Sequence, residues 1–178
     1  MSQNSDWLKV DLKKKLLATL IYSNVLGKEI AGTVNISRKT LGNSLIIGSS
    51  SRVDAIDSSV YYDFHTHIKT ETFNPPSGKD IMMLIHRNVY EPKGTLVLSE
   101  EGIYRCFITE DSRKRLHELL ERIADSDDSR KKIEKWKKKY IKKAQCASNH
   151  LINCGKDGFD VYVVYMKKIG IEVELIDY

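Results

Sequence analysis

The sequence predicts an α/β domain in which a mixed β-sheet is flanked by helices. Segments with a helical apolar period alternate along the chain with short segments rich in β-branched and aromatic residues, as this fold class requires. The chain has 178 residues, of which 41% are apolar and 30% charged, which suffices for one well-buried core. We therefore expect residues 1–178 to form a single domain.

The first half of the chain predicts one helix followed by three strands. Leucines recur every four residues from Leu8 to Leu20, which places them on one face of a helix from Trp7 to about Leu26. Gly32 marks a close backbone approach or a bulge in the strand that follows. The strands are expected at Glu29–Ile36, Leu45–Gly48 and Val60–His67.

The second half predicts more helices, a hairpin and a final pair of strands. Pro75-Pro76 prevents a helix before Ser77, and Ser77 is a good N-cap for a short helix that ends near Arg87. The remaining elements are strands at Thr95–Leu98 and Ile103–Ile108, helices from Asp111 or Ser112 to Ala124 and from Arg130 to about Leu151, and strands at Phe159–Met166 and Gly170–Ile176.

The absence of membrane-targeting segments and the pattern of cysteines indicate where the protein is located. No run of eighteen apolar residues occurs, and the first residues lack the basic and apolar regions of a signal peptide, so we expect a cytoplasmic protein with no membrane partner. Cys106, Cys146 and Cys154 are odd in number and lack close metal-ligand pairing. This favours reduced, mostly buried thiols over a disulfide framework.

The histidine strand and the Ser77 helix together suggest a metal site. His65 and His67 are two residues apart, so on a strand both imidazoles point to the same face. Asp80 falls in the first turn of the helix, where a carboxylate is favoured and can supply a third, oxygen ligand. Three protein ligands leave the fourth position of a tetrahedral Zn²⁺ open to water, as in catalytic zinc sites. Asp63 either accepts a hydrogen bond from a ligand histidine or is simply solvated.

Hydrolysis at such a site also needs a proton carrier, and Glu29 is the best candidate. It stands at the boundary between a core helix and a core strand, directly before apolar Ile30. A charged residue there is costly unless it has a partner or a role. A carboxylate can take a proton from the attacking water and return it to the leaving group.

These residues resemble the JAMM motif of the MPN metalloprotease family, also called JAMM/MPN+. The resemblance rests on Glu29-x-x-Gly32, His65-Thr66-His67 and Ser77-x-x-Asp80. It implies an MPN-like, cytidine-deaminase-like core over residues 8–108, with residues 109–178 as a C-terminal extension. It also implies that His65, His67 and Asp80 bind Zn²⁺, that Glu29 is the general base and acid, and that Ser77 stabilises the oxyanion. The implied reaction is hydrolysis of a peptide or isopeptide bond, with a protein, a peptide or a ubiquitin-like conjugate as substrate.

Two departures from the motif and one rival remain. Nine residues separate His67 from Ser77 where the family has seven, and Ile68 stands where the family usually has proline. Asp63-x-His65-x-His67 also resembles the strand-borne motif of amidohydrolases and of PHP phosphoesterases. Those proteins are barrels of about 200 residues or more, with this motif on the first strand, so we rank them second.

A second functional signal is a basic helix. Arg130 to Lys143 holds nine Lys or Arg and one acid, a local net charge of +8 that leaves the rest of the chain at −3. The alternatives are a solvated outer helix and a surface for an acidic partner or nucleic acid at Lys131–Lys143. The corresponding alternative functions are a non-enzymatic adaptor with the MPN fold and a nucleic-acid-associated protein resembling RadC.

Overall fold

The computed structural model describes residues 8–35, 40–53, 62–88, 94–125 and 128–178. It is a mixed α/β structure in which seven strands form one mixed sheet flanked by helices. The helices are α1 (Val10–Leu26), α2 (Gly78–Asn88), α3 (Glu110–Ala124), α4 (Ser129–Cys154) and α5 (Phe159–Lys168). The strands are β1 (Ile30–Asn35), β2 (Thr40–Leu41), β3 (Ile46–Ile47), β4 (Tyr62–Thr66), β5 (Gly94–Ser99), β6 (Gly102–Ile108) and β7 (Ile171–Ile176). The predicted boundaries at Trp7, Ile36 and Val60 lie outside the described residues.

Strand pairing fixes which side chains share a face of the sheet. The sheet order is β2-β1-β4-β5-β6-β7, and β3 pairs with β1. β1 is antiparallel to β4, with Ala31 opposite His65, while β4 is parallel to β5. Since side chains alternate along a strand, Ala31 and His65 lie on one face, and Phe64 and Thr66 lie on the other.

By their contacts the residues group into two compact units, and the first consists of Met1–Asn74, Thr95–Arg105 and Leu175–Tyr178. Its core forms where the leucines of α1 pack on the sheet, as the four-residue period predicts. The buried cluster comprises Leu8, Leu12, Leu16, Leu20, Val34, Phe64, Leu96, Leu98, Ile103 and Ile176. The predicted close approach at Gly32 is confirmed, because a Cβ there would lie 2.5 Å from the Phe64 ring.

The second unit consists of Pro75–Gly94 and Cys106–Glu174. The long helix α4 packs against α2, α3 and α5. It carries a narrow apolar stripe, in which Ala144 and Ala147 are buried and Ile133, Trp136 and Tyr140 are half-buried. The N-terminus of α2 lies very close to α4, because a Cβ on Gly78 would come within 2.4 Å of the Ile141 carbonyl oxygen.

One predicted strand is wrong: Phe159–Met166 belongs to helix α5, Phe159–Lys168. Its β-branched and aromatic residues favour a strand locally, yet burial follows a helical period. Tyr162 and Met166, four residues apart, are fully buried, whereas Val164 is 53% exposed. Tertiary packing of one helix face therefore overrides the local preference. The strand predicted at Gly170–Ile176 is confirmed as β7.

Smaller differences concern a short strand and the thiols. Strand β2, whose two residues pair with the end of β1, was not predicted. The thiols are not mostly buried as predicted, because Cys106 is buried but Cys146 and Cys154 are exposed. Both lie on α4, where the inward face is already filled by small and apolar side chains. Among the described residues, no helix combines the length and the apolar character needed to cross a membrane.

Candidate metal centre

The two predicted histidine ligands lie together at the end of β4. His65 is in the strand and His67 is the first residue after it, and their Nε2 atoms lie 3.2 Å apart. His67 is buried, with 8% of its surface exposed, and His65 is half-buried. Two ring nitrogens at this distance can share one proton or coordinate one cation, and neither arrangement requires the strand to move.

The orientation of His67 is fixed by a carbonyl group in the loop that follows. His67 Nδ1 lies 3.0 Å from the Asn74 carbonyl oxygen, which can only accept a hydrogen bond. Nδ1 therefore carries the proton, and in the neutral ring the lone pair is left on Nε2, the atom that faces His65. Metal-binding histidines are commonly held by such a second contact.

The residue between the histidines anchors the strand on its opposite face. The hydroxyl of Thr66 accepts a hydrogen bond from the Ile30 amide at 2.8 Å and lies 2.6 Å from the hydroxyl of Ser23. Thr66 and Ser23 are both essentially inaccessible to solvent. These buried contacts connect the end of α1, the start of β1 and the histidine strand, and they hold the backbone beside Glu29 in place.

Ser77 and Asp80 form a reciprocal cap at the start of α2. The Ser77 amide donates to Asp80 Oδ2 at 2.7 Å, and the Asp80 amide donates to Ser77 Oγ at 3.3 Å. This is a capping box in which aspartate takes the place of the usual glutamate. The predicted N-cap role of Ser77 is confirmed, and the cap fixes the Asp80 carboxylate with one oxygen engaged by the backbone.

Two residues of α4 that sequence reasoning missed support this capped turn. Gln145 Oε1 accepts a hydrogen bond from the Gly78 amide at 3.0 Å, and the buried Ser148 hydroxyl donates to the Pro76 carbonyl oxygen at 2.5 Å. They lie 67 and 72 residues away along the chain, so no local pattern could identify them. The one indication in the sequence is the polar Ser148 on the apolar face of α4, where a buried hydroxyl needs a hydrogen-bond partner.

His65, His67 and Asp80 form the one group among the described residues that the structure identifies as able to hold a metal ion. One ligand atom from each residue lies within 4.8 Å of the others. Ligand atoms of a tetrahedral site with bonds of roughly 2.0–2.2 Å are about 3.4 Å apart, close to the 3.2 Å between the imidazole nitrogens. Two imidazoles and a carboxylate form a group that could hold a metal ion.

Glu29, the predicted proton carrier, lies directly before β1 and is half-buried. Its amide donates to the Ser49 carbonyl oxygen and its carbonyl oxygen accepts from the Gly48 amide, both at 2.8 Å. Ala31, two residues after Glu29, is paired with His65 in β4, so Glu29 precedes the part of β1 that lies beside the histidine strand.

Comparison with family models, with curated proteins and with solved structures gives no match to this chain.

Proposed function

We propose that this protein is a zinc-dependent metallopeptidase or isopeptidase of the JAMM type. The observation that carries the proposal is the convergence of His65, His67 and Asp80, with the lone pair of His67 Nε2 directed by a carbonyl contact. Two imidazoles with one carboxylate are a ligand set of catalytic zinc, which keeps its fourth position for water. Zinc, when bound, supplies a Lewis acid that activates water and polarises a carbonyl group.

Glu29 and Ser77 carry out proton transfer and oxyanion stabilisation, respectively. Glu29 accepts a proton from the attacking water and transfers it to the leaving nitrogen as the carbon–nitrogen bond breaks, so a carboxylate and an amine are released. The Ser77 hydroxyl oxygen accepts a hydrogen bond from the Asp80 amide in the capped turn. The hydroxyl can therefore donate its own proton in a hydrogen bond to the developing oxyanion. A substrate with a narrow extended tail, such as a ubiquitin-like conjugate, is the substrate class that the family resemblance favours.

The JAMM resemblance is supported by the placement of its parts. Glu29 stands at the junction of α1 and β1, and the buried Thr66 hydroxyl ties that junction to the histidine strand. Asp80 follows Ser77 in a capped turn, in agreement with the order of the motif. An MPN-like core is consistent with a mixed sheet whose histidine strand has an antiparallel and a parallel neighbour.

Metal analysis and one substitution test this proposal. Freshly purified protein should contain close to one equivalent of zinc, and it should cleave a peptide panel or an isopeptide-linked ubiquitin conjugate. Glu29→Gln should keep the zinc and reduce turnover by at least about a hundredfold, because a general base contributes a factor of this size. Glu118→Gln, at an exposed position on α3, is the matched control and should retain activity. Undiminished cleavage by Glu29→Gln would refute the assigned mechanism.

A second candidate function is binding of a nucleic-acid backbone by the basic segment 130–143 of α4. Eight of its nine basic side chains are exposed, and Lys137 is half-buried. The ion pairs formed by this segment among the described residues are Lys137 with Glu134 at 3.2 Å and Lys131 with Asp128 at 3.9 Å. A segment with this density of positive charge and so few ion pairs within the protein favours binding of a polyanion.

The geometry of this segment favours phosphates over bases. Lys131, Lys135, Lys138 and Lys142 are three or four residues apart, so they form a row of positive charge along one face of the helix. Trp136 and Tyr140 pack against each other with ring centroids 4.6 Å apart and are half-buried, so part of each ring is already covered. We therefore expect duplex binding without sequence preference.

A salt titration with a fluorescent DNA duplex tests the second function. Replacing Lys138 and Lys139 by glutamine should weaken binding and reduce the slope of log K against log salt by about 2, since each phosphate contact contributes nearly one unit. The matched control replaces Lys167 and Lys168, which lie outside the segment. Equal effects of the two pairs would show that only net charge matters. Retention by an acidic peptide but not by the duplex would instead support an adaptor role.

A further inference from the structure

We propose that Glu101 is a positioning residue for the metal centre, acting through Asn74 on His67. Glu101 Oε1 accepts a hydrogen bond from the Asn74 amide at 3.1 Å, and the carbonyl oxygen of Asn74 lies 3.0 Å from His67 Nδ1. The inference rests on metal binding by His67, which is part of the proposed function, and does not depend on peptidase activity.

Asn74 is suited to transmit this constraint because its backbone amide, its carbonyl oxygen and its side-chain nitrogen each have a hydrogen-bond partner. Its side-chain amide donates to the Ile68 carbonyl oxygen at 2.9 Å, which closes the loop between the histidine strand and the prolines into a compact turn. Its backbone amide is held by Glu101 and its carbonyl oxygen faces His67. The amide belongs to the peptide group shared with Phe73 and the carbonyl to the one shared with Pro75, so a displacement of Asn74 as a whole would disturb its contacts with Ile68, Glu101 and His67.

Glu101 occupies a position where a carboxylate is costly. It lies in the turn between β5 and β6 and is half-buried, and its second oxygen, Oε2, is inaccessible to solvent and has no hydrogen-bond partner among the described residues. A buried carboxylate oxygen without a partner carries a desolvation penalty. The neighbouring Glu100 shows the ordinary alternative, since it is exposed and forms an ion pair with Lys69 at 2.9 Å. The contact with Asn74 is the compensation that the structure provides at Glu101.

The consequence for His67 is the choice of ring tautomer. While the Asn74 carbonyl oxygen is held in place, Nδ1 keeps the proton and Nε2 presents its lone pair beside His65. Without Glu101 the backbone amide of Asn74 loses its hydrogen bond, so Asn74 can shift and move its carbonyl oxygen away from Nδ1. The proton can then move to Nε2, which would leave that atom without a lone pair for a metal ion. Contacts behind a metal ligand typically change metal affinity by about 10–100-fold.

The test measures the tautomer and the zinc affinity of four variants. Histidine ring nitrogens labelled with ¹⁵N are observed in the metal-free protein, and His67→Ala identifies the signals. Glu101→Ala should increase the Nε2-protonated form of His67 and weaken zinc binding by about tenfold. Glu101→Gln keeps an acceptor oxygen and should behave as the parent. Glu101→Asp keeps the charge but shortens the reach, and should behave as Glu101→Ala. Glu100→Ala is the control in the same turn and should change neither property.

The results separate this inference from the proposed function. If Glu101→Ala and Glu101→Asp leave the His67 tautomer unchanged, the inference is wrong. If Glu101→Gln is as impaired as Glu101→Ala, the carboxylate charge rather than the hydrogen bond matters, and the inference is again wrong. Should Glu101→Ala fail to fold, the comparison of Glu101→Gln with Glu101→Asp decides. The tautomer is measured without zinc or substrate, so it remains decisive even if the parent proves inactive.

Discussion

Asp80 serves two purposes that a pair of substitutions can separate. Its carboxylate accepts a hydrogen bond from the Ser77 amide at 2.7 Å in the capping box. The same carboxylate is the third member of the group that could hold a metal ion. Asp80→Asn retains an oxygen that can accept the Ser77 amide but removes the negative charge. Asp80→Ala removes both the acceptor and the charge.

The expected losses in the free energy of unfolding follow from these contacts. Loss of a helix cap costs about 1 kcal/mol, and loss of a carboxylate from the first helical turn adds up to about 1 kcal/mol. In the absence of metal, Asp80→Ala should therefore be destabilised by about 2 kcal/mol, or roughly 6 °C in Tm for a chain of this length. Asp80→Asn should lose only about 0.5 kcal/mol, because the cap survives.

Thermal unfolding with and without zinc is the appropriate assay. At a free zinc concentration of about one hundred times Kd, the parent should gain about 2.7 kcal/mol, whereas both variants should gain much less. Asp111→Ala is the matched control, because Asp111 is an exposed acid in the first turn of α3, where Thr109 caps the helix. It should cost at most about 1 kcal/mol and leave the response to zinc unchanged.

Two outcomes would refute this reasoning. An Asp80→Asn protein that zinc stabilises as strongly as the parent would remove Asp80 from the ligand set. An Asp80→Ala protein that is as stable as the parent without metal would show that the capping box contributes nothing to stability.

Two further predictions concern buried hydrogen bonds in the first unit. Thr66→Val should destabilise the protein by about 2–3 kcal/mol in chemical denaturation, because the Ile30 amide and the Ser23 hydroxyl lose a buried partner; a cost below about 0.5 kcal/mol would contradict this. Tyr178→Phe should cost about 1 kcal/mol at neutral pH, since the phenol donates to the Ser99 carbonyl oxygen at 3.0 Å. Burial raises the pKa of Tyr178 above its usual value of 10.0, so the unfolded chain loses this proton first and parent stability should fall as pH rises above 10. The phenylalanine variant should lack that part of the decline, and identical alkaline unfolding curves would contradict the prediction.

The sequence predicted the local features well, because short-range physics decides them. The leucine period predicted α1 and its buried face, and Ser77 was identified as a cap because a hydroxyl before an apolar helix satisfies the first amides of that helix. The two-residue spacing of His65 and His67 predicted that both rings lie side by side, and their Nε2 atoms are 3.2 Å apart.

The segment 159–166 marks the limit of such reasoning. Its valines and tyrosines favour a strand, and no local signal reveals that Tyr162 and Met166 become buried four residues apart. Helix formation there depends on α4 as a packing partner, which lies outside any short window of sequence.

For the candidate site, residue types and spacing were enough to identify the available side chains: two imidazoles, a capped carboxylate and a glutamate at a helix-strand junction. How these side chains are held depends on contacts that form on folding. Asn74 fixes the His67 ring through a backbone carbonyl, which every residue possesses and no sequence pattern can mark. Glu101 and Ser148 act across 27 and 72 residues, respectively, on groups that only folding brings near them. Ligand identity is thus encoded in side-chain chemistry, whereas ligand orientation arises from long-range hydrogen bonds that exist only in the folded chain.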